Sequence, residues 1–373
     1  MAATDFGALT AARKKLWSTR IWQQGRDQSF WMSNGFMGSN TSETGRPIHR
    51  VTELTRTERG DEAVMQLVAD LQGDGVAGDN LLEGNEEAMW NDAITITIDQ
   101  LRNGVRNKGK MAEQATVIRF RETAREKLAF WLSEKIDEMM FLTASGVSYD
   151  TKLDGSTRSD SQLPSLKFAA DVSAPTSGRV LYAGGAGSTA ALTDSDTMNW
   201  NLIVNAKAYA SRKKLKTIRQ GGKGHYVVVL STEQMRDLKT DNTYQTLTAK
   251  AGQRGTNNPL FNNAIAVIDG VILYEHNKVF NTLGAASGSK WGAAGETDGA
   301  QALMMGAQAM GFANIQETQY EESDNTDYQN RPGISVGRQI GILKPAYKST
   351  EDNNTRQDFS LLSIYTAASA TTS

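Results

Sequence analysis

The sequence predicts an α+β fold, and three observations carry that prediction. Between Met111 and Gly146 there is no proline, and Val117, Phe120, Ala124, Leu128, Trp131, Leu132, Ile136, Met139 and Met140 form one helical stripe. "AITITIDQL" (93–101) instead alternates Ile94, Ile96 and Ile98 with Thr95 and Thr97, the period of a half-buried strand. "HYVVVLS" (225–231) is a continuous apolar run, the pattern of a central strand covered on both faces. Strands and helices fall in separate blocks rather than in strict βαβ alternation, which favours α+β over α/β.

The elements follow in order. Residues 1–47 have no period and scatter Trp17, Trp22, Phe30, Trp31 and Phe36 among polar residues. Such aromatics build no core alone and are expected to anchor an N-terminal arm, on this chain or on a neighbour. Residues 48–110 read as a long β-hairpin, with "RVTELTRTE" and "EAVMQLV" on one side and "AITITIDQL" on the other. A helix is expected over 112–145, with Gly146 as its stop. At ~1.5 Å per residue it would be roughly 45 Å long, suited to a structural spine. Residues 147–193 are rich in Gly, Ser, Thr and Ala and read as an excursion with long turns. A second helix is expected at 196–213, capped by Asp194 or Asp196, and a short one at "TEQMRDLK". Asp269-Gly270 inside "AIAVIDGVILYEH" signals a type I′ hairpin. "ALMMGAQAMGFA" fits strand or helix equally, and "GISVGRQIGILKPAYK" and "FSLLSIYTAA" close the chain as strands.

The chain has 373 residues, of which 39% are hydrophobic, and a formal net charge of −2. That suffices for a real core over two to three domains and indicates neither a basic nucleic-acid reader nor an acidic tail. With no cysteine there is no disulfide, thiolate nucleophile or cysteine-ligated zinc. No signal-peptide core and no membrane-length apolar run occur, so folding in a cytoplasm is expected.

Most chemical motifs fail on spacing. The glycine-studded stretch "LQGDGVAGDNLLEGNEE" (71–87) holds Asp74, Asp79, Glu83, Glu86 and Glu87, but neither Asp74 nor Asp79 starts an EF-hand register. Its acids lack the apolar cage that splits catalytic pKa values. His49, His225 and His276 sit in three separate segments without HExxH spacing, and there is no GxSxG elbow. Chain order does not constrain a Ser–His–Asp triad, so a soluble hydrolase using His225 or His276 stands as a second reading. A decoration protein that binds a surface through the aromatic N-arm is a third. "GGAGS" and "GGKGH" lack the phosphate-loop pattern, and Arg59-Gly60-Asp61 reads as a chance tripeptide in a charged hairpin. No cofactor or metal is expected.

Charge segregation stands out more clearly. From Gly60 to Leu101 there are ten acids and no Lys or Arg, flanked by Arg46, Arg50, Arg56 and Arg59 before and by Arg102, Arg106, Lys108 and Lys110 after. An arm with an acidic tip and a basic root suits head-to-tail repetition. Two basic surfaces are candidate receivers: Arg119, Arg121, Arg125 and Lys127 on the long helix, and Arg212, Lys213, Lys214 and Lys216 in "SRKKLKTIR".

The order of parts resembles the major capsid proteins of tailed bacteriophages, with the Hong Kong 97-like fold. "LVADLQGDGVAGDNLLEGNEEAM", "ITIDQLRNGVRNKGKMAEQ", "YVVVLSTEQMRDLKTD", "NPLFNNAIAVIDGVILYEHNKV" and "GRQIGILKP" are similar to a podophage-type branch of that superfamily. The resemblance implies an N-terminal arm (1–47), an extended loop (48–110), a peripheral domain (111–195) with its spine helix, an axial domain (196–325) and closing strands (326–373). It implies pentamers and hexamers in an icosahedral shell around double-stranded DNA, with no active site and no sequence-specific DNA contact. The expected partners are a portal, a separate scaffolding protein (since the arm starts near Met1) and a decoration protein, and the expected site of assembly is the host cytoplasm.

Overall fold

The computed structural model describes residues 29–39, 41–51, 62–68, 74–87, 91–109, 111, 120–220, 222–250, 267–315, 318–323, 330–349 and 355–368. Val117, Arg59-Gly60-Asp61 and most of "RVTELTRTE" lie outside them. In chain order the strands are β1 (Ile48–Val51), β2 (Glu62–Val68), β3 (Asn91–Thr97), β4 (Asp99–Arg106), β5 (Val180–Tyr182), β6 (Ile218–Gln220), β7 (Lys223–Leu230) and β8 (Val267–Ile268). They continue as β9 (Val271–Glu275), β10 (Gly299–Met305), β11 (Met310–Asn314), β12 (Gln319–Ser323), β13 (Gly333–Leu343), β14 (Ala346–Ser349), β15 (Thr355–Asp358) and β16 (Leu361–Ala367).

Two sheets enclose one long helix. In the five-stranded sheet β13 is the axis: β4 pairs along it, β12 and β11 pair with it antiparallel on the other side, and β1 runs parallel to β11. The seven-stranded sheet has the order β5-β16-β10-β7-β9-β8, with β6 on β7. The helix Phe120–Ser145 buries Leu128, Leu132, Ile136 and Met140 against Ile334, Val336, Ile340 and Ile342 of β13 and against Val227, Val229, Leu303 and Met305 of the second sheet. Every residue from Met139 to Ser145 is buried, because both sheets cover this half of the helix. The expected stop holds. The amides of Gly146 (φ +68°) and Val147 bond the carbonyls of Thr143 and Leu142, closing a Schellman turn. Gln301 on β10 donates 3.0 Å bonds to Ser145 O and Ser363 Oγ, so the buried helix end is satisfied by the sheet it packs on.

The other face of the seven-stranded sheet packs Tyr226, Val228, Leu230, Met304 and Leu362 on the helices Trp200–Arg212 and Thr232–Thr240. β7 is interior to this sheet, as the apolar run predicted. The helix Thr232–Thr240 starts in a capping box between Ser231 and Gln234. Asp269 (φ +47°) and Gly270 (φ +80°) turn β8 into β9 as a primed hairpin.

Two expectations are corrected, and one that the sequence left open is resolved. The second helix starts at Trp200, capped by Asn199, whose side chain accepts the Leu202 amide at 2.9 Å; Asp196 instead accepts from Thr193. "ALMMGAQAMGFA" forms two strands, β10 and β11, in different sheets. Residues 48–110 are not one hairpin: only β2 and β3 pair with each other, while β1 and β4 join the five-stranded sheet. The closing strands return to both sheets, β16 pairing with β5 and β10, and β13 with β11 and β12.

Candidate assembly surfaces

The β2–β3 ribbon is an arm with a fixed root. It runs in register from Glu62↔Thr97 to Val68↔Asn91. Alternation turns Ala63, Met65, Ile96 and Ile98 inward, onto Val51, Ala313 and Leu343 of the five-stranded sheet. The approach is close because the sheet offers glycine there. A Cβ on Gly341 would lie 2.4 Å from Thr97 O, and one on Gly311 would lie 2.5 Å from Met65 Sδ. Asp92 ties the ribbon further out. It accepts from the Lys348 amide (3.3 Å) and Arg356 (2.8 Å). Burial pushes its carboxyl up, but these partners hold it below the usual aspartate range. Asp99 likewise accepts the Lys167 amide at 2.8 Å. So Asp92 and Asp99, among the described residues, serve the chain's own fold.

Beyond the ribbon, residues 74–87 form an irregular loop in which all but Val76 are exposed. Gly75, Gly78 and Gly84 hold positive φ, and the Asn85 amide bonds Leu82 O at 2.9 Å, so the loop turns on itself. Asp74, Asp79, Glu83, Glu86 and Glu87 all project outward with Leu81 (69% exposed) and Leu82 (58%). Among the described residues no group of three acids or histidines could hold a metal ion.

The N-arm residues divide. Trp17 and Trp22 lie outside the described residues. Phe30 and Trp31 are buried in this chain: Trp31 sits 4.5 Å from the Phe141 ring, and Phe30 lies against Phe36, Phe141, Tyr274 and His276. Asp137 of the long helix holds them there. Its two oxygens accept from Ser29 Oγ (2.6 Å) and the Phe30 amide (2.7 Å). Burial pushes this carboxyl above the ordinary aspartate range, against those hydrogen bonds. The sequence held a signal for it, an acid between Ile136 and Met139 on a buried stripe. Asp137→Ala is expected to cost about 2–3 kcal/mol by orphaning the Ser29 hydroxyl and Phe30 amide, and Asp137→Asn less than about 1, as urea midpoints would show.

His276 stacks on Phe141 at 5.2 Å, and its Nδ1 accepts the Lys278 amide at 3.1 Å. That occupies the nitrogen a triad base would need. Burial first, and the Lys278 charge second, push its pKa down to about 4. The unfolded chain then binds the proton more tightly than the folded one. Its stabilising contribution is full above about pH 6.5 and is lost as pH falls toward 4. His276→Gln should therefore lose less urea resistance than the parent between pH 7.5 and 5.

The expected receivers are scattered. Arg119 lies outside the described residues. Arg121 pairs with Glu322 at 3.9 Å, Arg125 is half-buried, and Lys127 is exposed but shares its helix face with the exposed Glu134, two turns further on. Arg212 lies over the Tyr209 ring, Lys216 donates to Gln308 at 2.6 Å, and Lys213 and Lys214 lie beside them in sequence. Arg102, Arg106 and Lys108, part of the basic root expected from the sequence, are exposed at one end of the five-stranded sheet, where Arg331 joins them, which the sequence did not indicate.

A long helix between two sheets, with an extended ribbon rooted on one of them, defines the Hong Kong 97-like class of shell-forming subunits. The chain belongs to the phage capsid protein family, whose model matches residues 1–370. It is 40% identical over 373 residues to the major capsid protein of Pseudomonas phage KPP25, covering 98% of each chain. Among solved structures it is similar to the capsid of Ralstonia phage GP4 (TM-score 0.77, 27% identity, 93% of each chain). It also shares the fold of the cyanophage Pam1 capsid (TM-score 0.72, 17% identity, 93% of this chain and 94% of that one). It is a structural, non-enzymatic protein of the virion capsid.

Proposed function

We propose that the protein assembles as pentamers and hexamers into an icosahedral shell around double-stranded DNA, each copy reaching a neighbour with its arm. The peripheral domain in this reading is the five-stranded sheet with the long helix, and the axial domain is the seven-stranded sheet with its helices. The observation that carries the reading is the arm itself. Its root is packed on glycines, while its tip exposes five acids and two leucines to solvent. A monomeric soluble protein has no use for such a projection, whereas repeated copies add many modest polar contacts by multivalency. Assembly in the host cytoplasm, with a portal, a separate scaffolding protein and a decoration protein as partners, completes the proposal. The near-neutral charge suits a container that holds DNA without sequence-specific grip.

The test is charge reversal at the tip. Glu83→Lys, Glu86→Lys and Glu87→Lys together should abolish particles in negative-stain micrographs while leaving the thermal unfolding of the unassembled chain within about 0.5 kcal/mol of the parent. Normal particles from this variant would sink the reading.

A further inference from the structure

Asn-Gly is the dipeptide in which a backbone amide most readily reaches the side-chain carbonyl before it, because glycine adds no Cβ. It occurs twice in the chain, at Asn34-Gly35 and Asn103-Gly104. The fold treats the two in opposite ways. At Asn34 both reacting groups are engaged elsewhere: Nδ2 donates to Phe30 O at 2.8 Å, and the Gly35 amide donates to Met32 O at 3.2 Å. At Asn103 they are engaged with each other, the Gly104 amide donating to Asn103 Oδ1 at 2.9 Å. That bond sets the Gly104 nitrogen beside the Asn103 side-chain carbonyl, whose carbon is one bond from the accepting oxygen.

The sheet leaves this amide open. Among the described residues β4 is an edge of the five-stranded sheet, with β13 on one side only. The Asn107 amide bonds Pro332 O at 2.9 Å, which fixes the phase of the ladder. Leu101, Asn103, Val105 and Asn107 turn their backbone groups to β13, and Gln100, Arg102, Gly104 and Arg106 turn theirs outward. The outward Gln100 amide is likewise held by the side chain before it, Asp99 Oδ1 at 2.7 Å. Gly104 is exposed and Asn103 half-buried, and Asn103 Nδ2, the group that would leave, has no hydrogen-bond partner among the described residues. Arg102 and Arg106 are exposed on either side and favour an anion at the Gly104 nitrogen, while the acid of that row, Glu321, lies two strands away beyond Ser335. Only three paired residues of β4 follow Asn103, so fraying of that end supplies the main-chain rotation that ring closure needs.

We propose that Asn103-Gly104 is a self-modification site, at which spontaneous deamidation converts Asn103 to aspartate and isoaspartate. The Gly104 nitrogen gives its proton to hydroxide and attacks Asn103 Cγ. The new C–N bond closes a five-membered succinimide, and the Cγ–Nδ2 bond breaks, releasing ammonia with a proton taken back from water. Water then opens the ring at either carbonyl. One opening gives aspartate, a new carboxylate between two arginines. The other carries the main chain through Cβ and Cγ and adds one backbone atom. That atom throws Val105↔Ile334 and Arg106↔Gly333 out of register and frees the Asn107 amide, so the end of β4 lifts from β13. The site is a slow timer on the sheet edge, independent of how copies meet.

The test is to age the purified chain at neutral and at mildly alkaline pH and map its peptides by mass spectrometry. The peptide carrying Asn103 is expected to become about 1 Da heavier and to split into aspartate and isoaspartate forms. It should do so at least tenfold faster than the peptide carrying Asn34 in the same sample, and faster at the alkaline pH. Hydrogen exchange over 105–107 should rise with the isoaspartate fraction. Asn103→Gln, whose longer side chain closes only a less favourable six-membered ring, should hold both readouts at their starting values with an unchanged circular dichroism spectrum. Conversion of Asn34 as fast as Asn103 overturns the proposal. So does an unchanged Asn103 under conditions in which a synthetic peptide of residues 98–110 converts. Both asparagines are read in one sample of the parent chain, so the answer does not depend on any variant folding.

Discussion

Replacing Lys344 with methionine is expected to destabilise the unassembled chain by about 3–5 kcal/mol. Its ammonium lies 3.0 Å from Asp358 Oδ2, and the two side chains are 0% and 1% exposed. Lys344 follows β13 of one sheet, and Asp358 ends β15 just before β16 of the other, so the pair fastens the two sheets where the chain passes between them. Burial acts on both groups in the same sense, pushing the aspartate up and the lysine down. Only their mutual attraction and the surrounding bonds hold the charges in place. Asp358 also accepts the Thr176 amide at 3.2 Å, and its backbone carbonyl accepts from Arg179, itself buried. Removing the lysine leaves a desolvated carboxylate with weaker partners. Removing the aspartate alone leaves two buried cations, so Asp358→Ala should cost more than Lys344→Met. The double variant Lys344→Met/Asp358→Leu removes both desolvation penalties and keeps the volume, and should recover most of the loss. Urea midpoints of the three variants, with the slope held constant, decide the order. If the double variant were as weak as the single one, packing rather than charge would govern this corner.

How much of this was legible depended on distance along the chain. The Schellman stop at Gly146, the capping box at Ser231 and the turn at Asp269-Gly270 are local, and their residue types name them. The strand character of "ALMMGAQAMGFA" was illegible because every residue of β10 is buried. A strand covered on both faces has no polar beat, and its length suits either structure. The cap at Asn199 was missed because Asp194 and Asp196 are equally good caps by type, and only the fold gives Asp196 to Thr193. Residues 48–110 looked like one hairpin because β1 and β4 take partners more than two hundred residues away. The charge pattern was read correctly as a sequence but not as surface. Arg356, far along the chain, claims Asp92, and Glu322 claims Arg121. The cluster of Arg102, Arg106 and Arg331 exists only because β4 pairs with β13.

Gly341→Val is expected to lift the arm from its seat, costing about 3 kcal/mol and abolishing particles. At this position the added carbon meets Thr97 O at 2.4 Å, Ile96 Cγ2 at 2.9 Å and Ile98 Cγ1 at 3.1 Å. The nearest of these is backbone of the ribbon itself, so relief requires moving β3 rather than turning a side chain. Gly311 is the control. There the nearest atoms are Met65 Sδ and the Ile96 Cδ1, both at the ends of side chains, and a methionine repacks readily. Gly311→Ala should cost about 1 kcal/mol and still assemble. The contrast isolates geometry from stability. The ribbon is seven residues long, about 24 Å, so a displacement at its root is carried outward to a tip that must meet a fixed surface on the next copy. Limited proteolysis should show faster cleavage of the arm in Gly341→Val, with the long-helix core intact. If that variant assembled normally, the seat on Gly341 would serve folding alone, and the arm would find its neighbour without being aimed.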